Sequence, residues 1–247
     1  QAMVLAAGRG ERMRPLTDAT PKPLLRVQGK PLMQWTLEAL ARGGLHEVLV
    51  NTAWLGEQIP AHFGERFAAG APSGLALSYS HEGTDFGDAL ETAGGIVRAL
   101  PQLADVFWVA AGDVFAPSFE FSQQTMARFA ASGRLAHLWL VANPAHNPRG
   151  DFGIGADGSA LSRPAGGIPS YTFSTIALYR AEFFSPPRCD IPAGNADGVK
   201  AALAPMLRLA MDQGLVSAEL FEGAWTDVGT PQRLAALNEP EGRAAPQ

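Results

Sequence analysis

Short apolar runs alternate along this chain with stretches whose apolar residues recur every three or four positions. That grammar belongs to an α/β fold, a central and mostly parallel mixed sheet with helices on both faces. Met3 to Ala6 reads as the first buried strand. Leu32/Met33, Thr36/Leu37 and Leu40 share one helical face, and Gly43-Gly44 ends that helix. Strands follow at Glu47 to Asn51 and Leu75 to Tyr79, with a short helical region from Gly56 to Phe67 between them. Thr92 to Leu100 is helical, and Pro101 closes it. The continuous apolar run Val106 to Ala111 reads as a central strand covered on both faces. A helix over Phe121 to Ser132 and a strand over Ala136 to Ala142 complete this half.

After residue 142 the grammar changes. Gly and Pro become dense from Asn143 to Pro169, which predicts a mixed-sheet segment returning as the strand Tyr171 to Tyr179. A helix is expected from about Val199 to Gln213, with Val199, Leu203, Met206/Leu207 and Ala210 as its apolar stripe. Pro205 inside that stripe implies a restart or a kink, because proline lacks an N–H and clashes with the preceding turn. Strand Ser217 to Phe221, the segment Trp225-Thr226-Asp227 and a helix from Pro231 close the pattern. With no repeat and no long linker, one domain over 1–247 is expected, ending in a frayed polar tail over 239–247.

Composition narrows the partners. Apolar residues make up 47% of the chain and charged residues 17%, a globular balance that excludes a disordered chain. The formal net charge of −5 argues against a nucleic-acid face, which needs clustered Lys and Arg, yet leaves room for a small phosphate site. The lone Cys189 cannot form an intrachain disulfide, which suits a cytoplasmic setting. No apolar run approaches the roughly 20 residues of a membrane span. Gln1-Ala2-Met3-Val4-Leu5 carries no basic n-region, so no signal peptide is expected.

The richest signal runs from Leu5-Ala6-Ala7-Gly8-Arg9-Gly10 through Arg14-Pro15-Leu16-Thr17 to Pro21-Lys22-Pro23. A buried strand empties into a loop of small residues whose backbone N–H groups face an anion, and Gly8 and Gly10 allow close approach. Arg14 and Lys22 then neutralise phosphate oxygens, Lys22 being braced by Pro21 and Pro23. Gly-x-Gly alone also fits a plain strand-to-helix corner. Met13 stands where a dinucleotide fingerprint has its third glycine, and no Gly-Lys-Ser/Thr of a Walker A loop follows.

Further along, Gly112-Asp113-Val114 ends the run Val106 to Ala111, where ligand sites of open α/β sheets lie. Asp113 there is a magnesium ligand or a turn cap. Asp227 of Trp225-Thr226-Asp227-Val228-Gly229 is a second carboxylate, equally at home in a turn. Glu91-Thr92-Ala93-Gly94-Gly95 opens a helix whose free N–H groups suit a base or ribose, with Thr92 as a simple cap the plainer reading.

The stretch Leu5 to Pro23 resembles the signature of the sugar-1-phosphate nucleotidyltransferases, and the resemblance runs through most of the chain. It implies a Rossmann-like three-layer nucleotidyltransferase fold, with a nucleotide-binding half over about 1–142 and a sugar-binding half over about 143–238. It implies that Leu5, Ala6, Ala7, Gly8 and Gly10 hold a nucleoside triphosphate and that Lys22 lies over the reacting phosphates. It further implies that Asp113 and Asp227 share a Mg²⁺ ion, and that Gly83, Thr92 and Gly94 border the base. Within the family, Asn143-Pro144, Arg149-Gly150-Asp151-Phe152, Thr172-Phe173-Ser174 and Leu203-Ala204-Pro205 resemble the N-acetylmuramate-1-phosphate uridylyltransferases of cell-wall recycling. Asn143 and Asp151 are then the partners of sugar hydroxyls. Ser162-Arg163-Pro164 replaces the Glu-Lys-Pro of many relatives, Thr175 stands where Gly is expected, and Lys200 is a candidate for the sugar phosphate.

Trp35, Trp108 and Trp139 read as core residues, His62 and His137 as structural or surface residues. The expected reaction joins UTP and a sugar 1-phosphate to give a UDP-sugar and pyrophosphate. Two alternatives stay open: another hexose 1-phosphate or phosphocholine as acceptor, and a non-catalytic nucleotide-sugar sensor.

Overall fold

A ten-stranded mixed sheet carries the core of the computed structural model, which describes residues 1–68, 70 and 74–239. In chain order the strands are β1 (Ala2–Leu5), β2 (Arg26–Val27), β3 (Lys30–Pro31), β4 (Glu47–Thr52), β5 (Arg66–Phe67), β6 (Leu75–His81) and β7 (Val106–Ala111). They continue as β8 (Val114–Phe115), β9 (Ala136–Val141), β10 (Phe152–Ile154), β11 (Ala160–Leu161), β12 (Ser170–Arg180), β13 (Val216–Leu220) and β14 (Thr226–Asp227). The helices are α1 (Leu32–Arg42), α2 (Gln58–Phe63), α3 (Glu82–Phe86), α4 (Glu91–Ala99), α5 (Gln123–Ala131), α6 (Leu203–Asp212) and α7 (Pro231–Asn238). The sheet order is β11-β10-β12-β7-β1-β4-β6-β5, with β9 on β12 and β13 on β9.

β7, β1, β4 and β6 are parallel, and the register sets Leu5 beside both Asn51 and Ala111. Three strands thus end at one level, and the loops that follow them open a crevice there. Alternation along the strands sorts the core. Met3, Leu49, Phe107 and Val109 pack with Ile96, Val97, Leu203 and Leu207 of α4 and α6. Val4, Val48, Val50, Trp108 and Ala110 pack with Met33, Leu37, Leu40 and Phe129 of α1 and α5. The layers are therefore helix, sheet, helix, as expected.

Several boundaries differ for physical reasons. The helical region expected over 56–67 shrinks to α2, because Gly64 at φ 67° ends it and Arg66–Phe67 joins the sheet edge. α6 begins at Leu203 rather than Val199, which is 44% exposed and lies on an extended strap. Pro205 therefore falls in the first turn of α6, where a missing N–H costs nothing, so neither restart nor kink is needed. Trp108 and Trp139 are buried, Trp35 is partly so, and His62 is exposed. Of the tail, Glu239 alone lies within the described residues.

Candidate active site

The crevice at the strand ends is a cavity of about 650 Å³. Leu5, Ala6, Ala7 and Gly8 line it from β1 onward, with Lys22, Asp113, Thr92 and Asp151 among the other walls. Ala7, Gly8, Arg9 and Gly10 donate no backbone hydrogen bond to another described residue, so their N–H groups are available to an anion. A Cβ on Gly8 would meet nothing within 4 Å, which is the open face a ligand needs. Gly10 serves the turn itself: its φ is 65°, its carbonyl accepts from the Thr17 hydroxyl at 2.9 Å, and a Cβ would press on Thr17 and Lys22. The Arg9 guanidinium lies 3.2 Å above the Trp54 ring and braces the loop from outside.

Lys22 is buried, and its ammonium donates to Oδ2 of Asp113 and lies 4.0 Å from Oδ1 of Asp227. The two aspartates, far apart in sequence, meet because β14 pairs with β8, which sets Asp227 opposite Val114. Val228 N–H then donates to the Asp113 carbonyl at 3.2 Å. Asp227 is held further by Arg233 at 2.9 Å, with His146 at 3.5 Å. Two carboxylates converging on one cation form a hard-oxygen donor set that fits Mg²⁺, which takes one or two carboxylates plus water and substrate phosphates. Among the described residues no group of three or more His, Cys, Asp or Glu forms a denser site, so an ion held by these two carboxylates would take its other ligands from substrate and water.

At the opposite end Asp151 is oriented by the Phe173 N–H at 2.8 Å and the Asn147 amide at 3.1 Å. Arg208 of α6 joins it, its guanidinium carbon 5.0 Å from the Phe152 ring centre and one Nη donating to the Ser162 carbonyl. Arg208 was missed in the sequence; as the one cation on an otherwise apolar face of α6, it carried a usable signal. Thr175 also lines the cavity at φ 62°, where β12 shifts register against β9 between Phe173 and Ala177. A left-handed backbone at that bulge is why glycine is expected, and a β-branched residue there is strained.

A family model described as nucleotidyl transferase matches residues 1–160. The chain belongs to this nucleotidyl transferase family. It is 45% identical over 240 residues to an N-acetylmuramate alpha-1-phosphate uridylyltransferase of Neisseria meningitidis serogroup B, covering 95% of each chain. It is 32% identical to a protein of the same name from Caulobacter vibrioides, over 95% of this chain and 94% of that one. Among solved structures, a protein described as a glucose-1-phosphate thymidylyltransferase from Bacillus anthracis superposes with a TM-score of 0.76 at 20% identity. That match covers 96% of this chain and 93% of the other, and supports the nucleotidyl transferase fold.

Not every residue singled out in the sequence reaches the cavity of this nucleotidyl transferase. Arg14 is exposed and pairs with Asp18 at 2.7 Å. Asn143 braces the hairpin, donating to the Ser170 carbonyl at 3.0 Å and accepting from Thr172 at 2.9 Å. Gly83 and Gly94 serve close packing, because a Cβ would lie 2.5 Å from the Ala53 carbonyl and 2.5 Å from the Val199 carbonyl respectively. The N–H groups of Ala93 and Gly94 are not free, since both donate to the Ala201 carbonyl, and Thr92 lines the cavity instead of capping α4. Lys200 pairs with Asp88 at 2.6 Å on an exposed face. No helix among the described residues is long and apolar enough to cross a membrane.

Proposed function

We propose that this chain transfers a uridylyl group from UTP to N-acetylmuramate 1-phosphate, forming the UDP-sugar and pyrophosphate in the cytoplasm as a step of cell-wall recycling. The observation that carries the reading is a single cavity with Lys22 between Asp113 and Asp227 at one end and Arg208 beside Asp151 at the other. The first end suits a triphosphate. The second suits a sugar bearing both hydroxyls and a carboxylate, and both N-acetylmuramate alpha-1-phosphate uridylyltransferases that the chain resembles are named for such a sugar.

A sugar 1-phosphate is already an anion, so no side chain has to remove a proton. Its phosphate oxygen attacks the α-phosphorus in line, a new P–O bond forms, and the bond to pyrophosphate breaks. The free N–H groups at Gly8 and the Lys22 ammonium face the charge that spreads over the phosphoryl oxygens, where preorganised donors act most strongly. Asp113 and Asp227 would hold Mg²⁺, which screens the repulsion between the two anions and polarises the phosphoryl oxygens. Asp151 accepts from a sugar hydroxyl, and Arg208 pairs with the sugar's carboxylate through a planar fork of donors. Leu5, Val109, Phe173 and Leu203 supply apolar walls to the cavity.

The test is pyrophosphate release with Mg²⁺, comparing UTP with other triphosphates and N-acetylmuramate 1-phosphate with glucose 1-phosphate and phosphocholine. Release with UTP and the acidic sugar, abolished by EDTA, is the expected result. Release with glucose 1-phosphate alone would move the substrate. Silence from folded protein that still binds nucleotide would favour a sensor.

A further inference from the structure

Behind the nucleotide end of the cavity runs a buried chain of hydrogen bonds that the transfer chemistry does not use. The Ala6 N–H donates to Oδ1 of Asn51 at 2.9 Å, and Nδ2 of Asn51 donates to Oε1 of Glu82 at 2.7 Å. The other carboxyl oxygen of Glu82 accepts from the Leu90 N–H at 2.8 Å. Asn51 is 3% exposed and Glu82 is fully buried. Gly95 of α4 makes the space, since a Cβ there would lie 2.5 Å from Oε1 of Glu82 and 2.9 Å from Nδ2 of Asn51. The chain ties the first residue of the phosphate loop to the residue just before α4. Ala6 and Asn51 line the cavity on one side, Ala89, Glu91 and Thr92 on the other.

We infer that Asn51 and Glu82 are positioning residues that fix the gap between the phosphate loop and the Ala89–Thr92 wall, and so act on triphosphate binding rather than on the chemical step. The direction of every bond supports this. Two backbone N–H groups at the ends can only donate, so the chain needs one group that accepts on both sides, and a carboxylate is that group. Burial pushes the Glu82 pKa up, while the bonds from Leu90 and Asn51 and the charge of Arg98 oppose that rise. Glutamine at position 82 would keep the shape yet leave two donors facing each other at one of its ends, and a buried unpaired donor is costly. The amide at position 51 has a fixed orientation for the same reason: flipped, it would turn its NH₂ toward the Ala6 N–H. The inference rests on the nucleotide site proposed above.

The same logic supplies a rescue. In Asn51→Asp with Glu82→Gln, Asp at position 51 accepts from Ala6 and from the new amide, whose oxygen accepts from Leu90, so every bond is restored with its direction changed at one link. Titration calorimetry with Mg²⁺ and UTP, alongside KM and kcat, compares the wild type, both single variants and the double variant. Glu82→Gln is expected to weaken UTP binding about tenfold or more with kcat changed by less than about threefold, and the double variant to return within about threefold of the wild type. The inference is overturned if Glu82→Gln binds UTP as the wild type does while its melting temperature falls. It is equally overturned if the double variant binds no better than Glu82→Gln, a comparison that decides the matter even where Asn51→Asp alone fails to fold. UTP binding needs no turnover, so a wild type that binds UTP but releases no pyrophosphate would end the transfer reading and leave this test intact.

Discussion

The two ends of the cavity hold their polar groups by different means. At the phosphate end the groups come from strand ends locked in register: Gly8 follows β1, Asp113 follows β7, and Asp227 reaches it through the β8–β14 pair. At the sugar end Asp151, just before β10, accepts from the Phe173 N–H where β12 shifts register against β9, and Arg208 projects from α6 to the Ser162 carbonyl of a loop. The first arrangement is set by the fold and, on the function proposed above, would serve any nucleotidyl acceptor. The second depends on side chains that can change without disturbing the sheet, so on the same proposal it would decide which acceptor fits.

Substitution at the phosphate end should therefore damage every reaction alike. Asp113→Asn is expected to lower kcat by roughly a hundredfold or more, about 3 kcal/mol, with any acceptor and with the fold intact. Lys22→Ala should do the same. Near wild-type turnover by either variant in a pyrophosphate-release assay would sink the assigned roles.

Arg208→Leu should separate the two ends. Losing a charged partner of a buried carboxylate costs about 1.5–3 kcal/mol, or roughly ten- to a hundredfold in KM. That loss is expected for N-acetylmuramate 1-phosphate, with KM for UTP unchanged. An equal loss for glucose 1-phosphate would show that Arg208 only supports the wall through Ser162 and Asp151.

The same contrast explains what was legible in the sequence. Val106 to Ala111 and the stripe from Leu32 to Leu40 declare themselves because burial on one or both faces imposes a period. Asp113 and Asp227 stand at strand ends, where topology gives position a meaning, and Lys22 opens a short 3₁₀ turn between two prolines. Asn51 and Glu82 stayed hidden because a polar residue at the end of an apolar strand looks like a boundary, and only the fold shows its partners. Val199 misled because an apolar residue at helical spacing also suits a strap, and Gly94 because a glycine near a helix start suits close packing as well as ligand approach.

That strap joins the two regions. Asn195 donates to the Gly94 carbonyl at 3.1 Å, and the Ala201 carbonyl accepts from Ala93 and Gly94. Gly94→Ala would drive a Cβ into the Val199 carbonyl, so a loss of about 1–3 kcal/mol is expected in chemical denaturation, the overpacking cost of a tight interior. If stability stayed within about 0.5 kcal/mol of the wild type, the strap would be shown to yield, and the two regions to be less firmly joined than their hydrogen bonds imply.

The smallest effect is expected at Arg14. Its side chain is 59% exposed, its partner Asp18 lies four residues on, and it does not line the cavity. Such an exposed pair contributes little, at most about 1 kcal/mol. Arg14→Ala should therefore keep kcat/KM for UTP within about threefold. A loss of about tenfold or more would mean that triphosphate binding pulls Arg14 away from Asp18. The phosphate end would then owe part of its charge to a rearrangement, and the contrast with the sugar end would narrow.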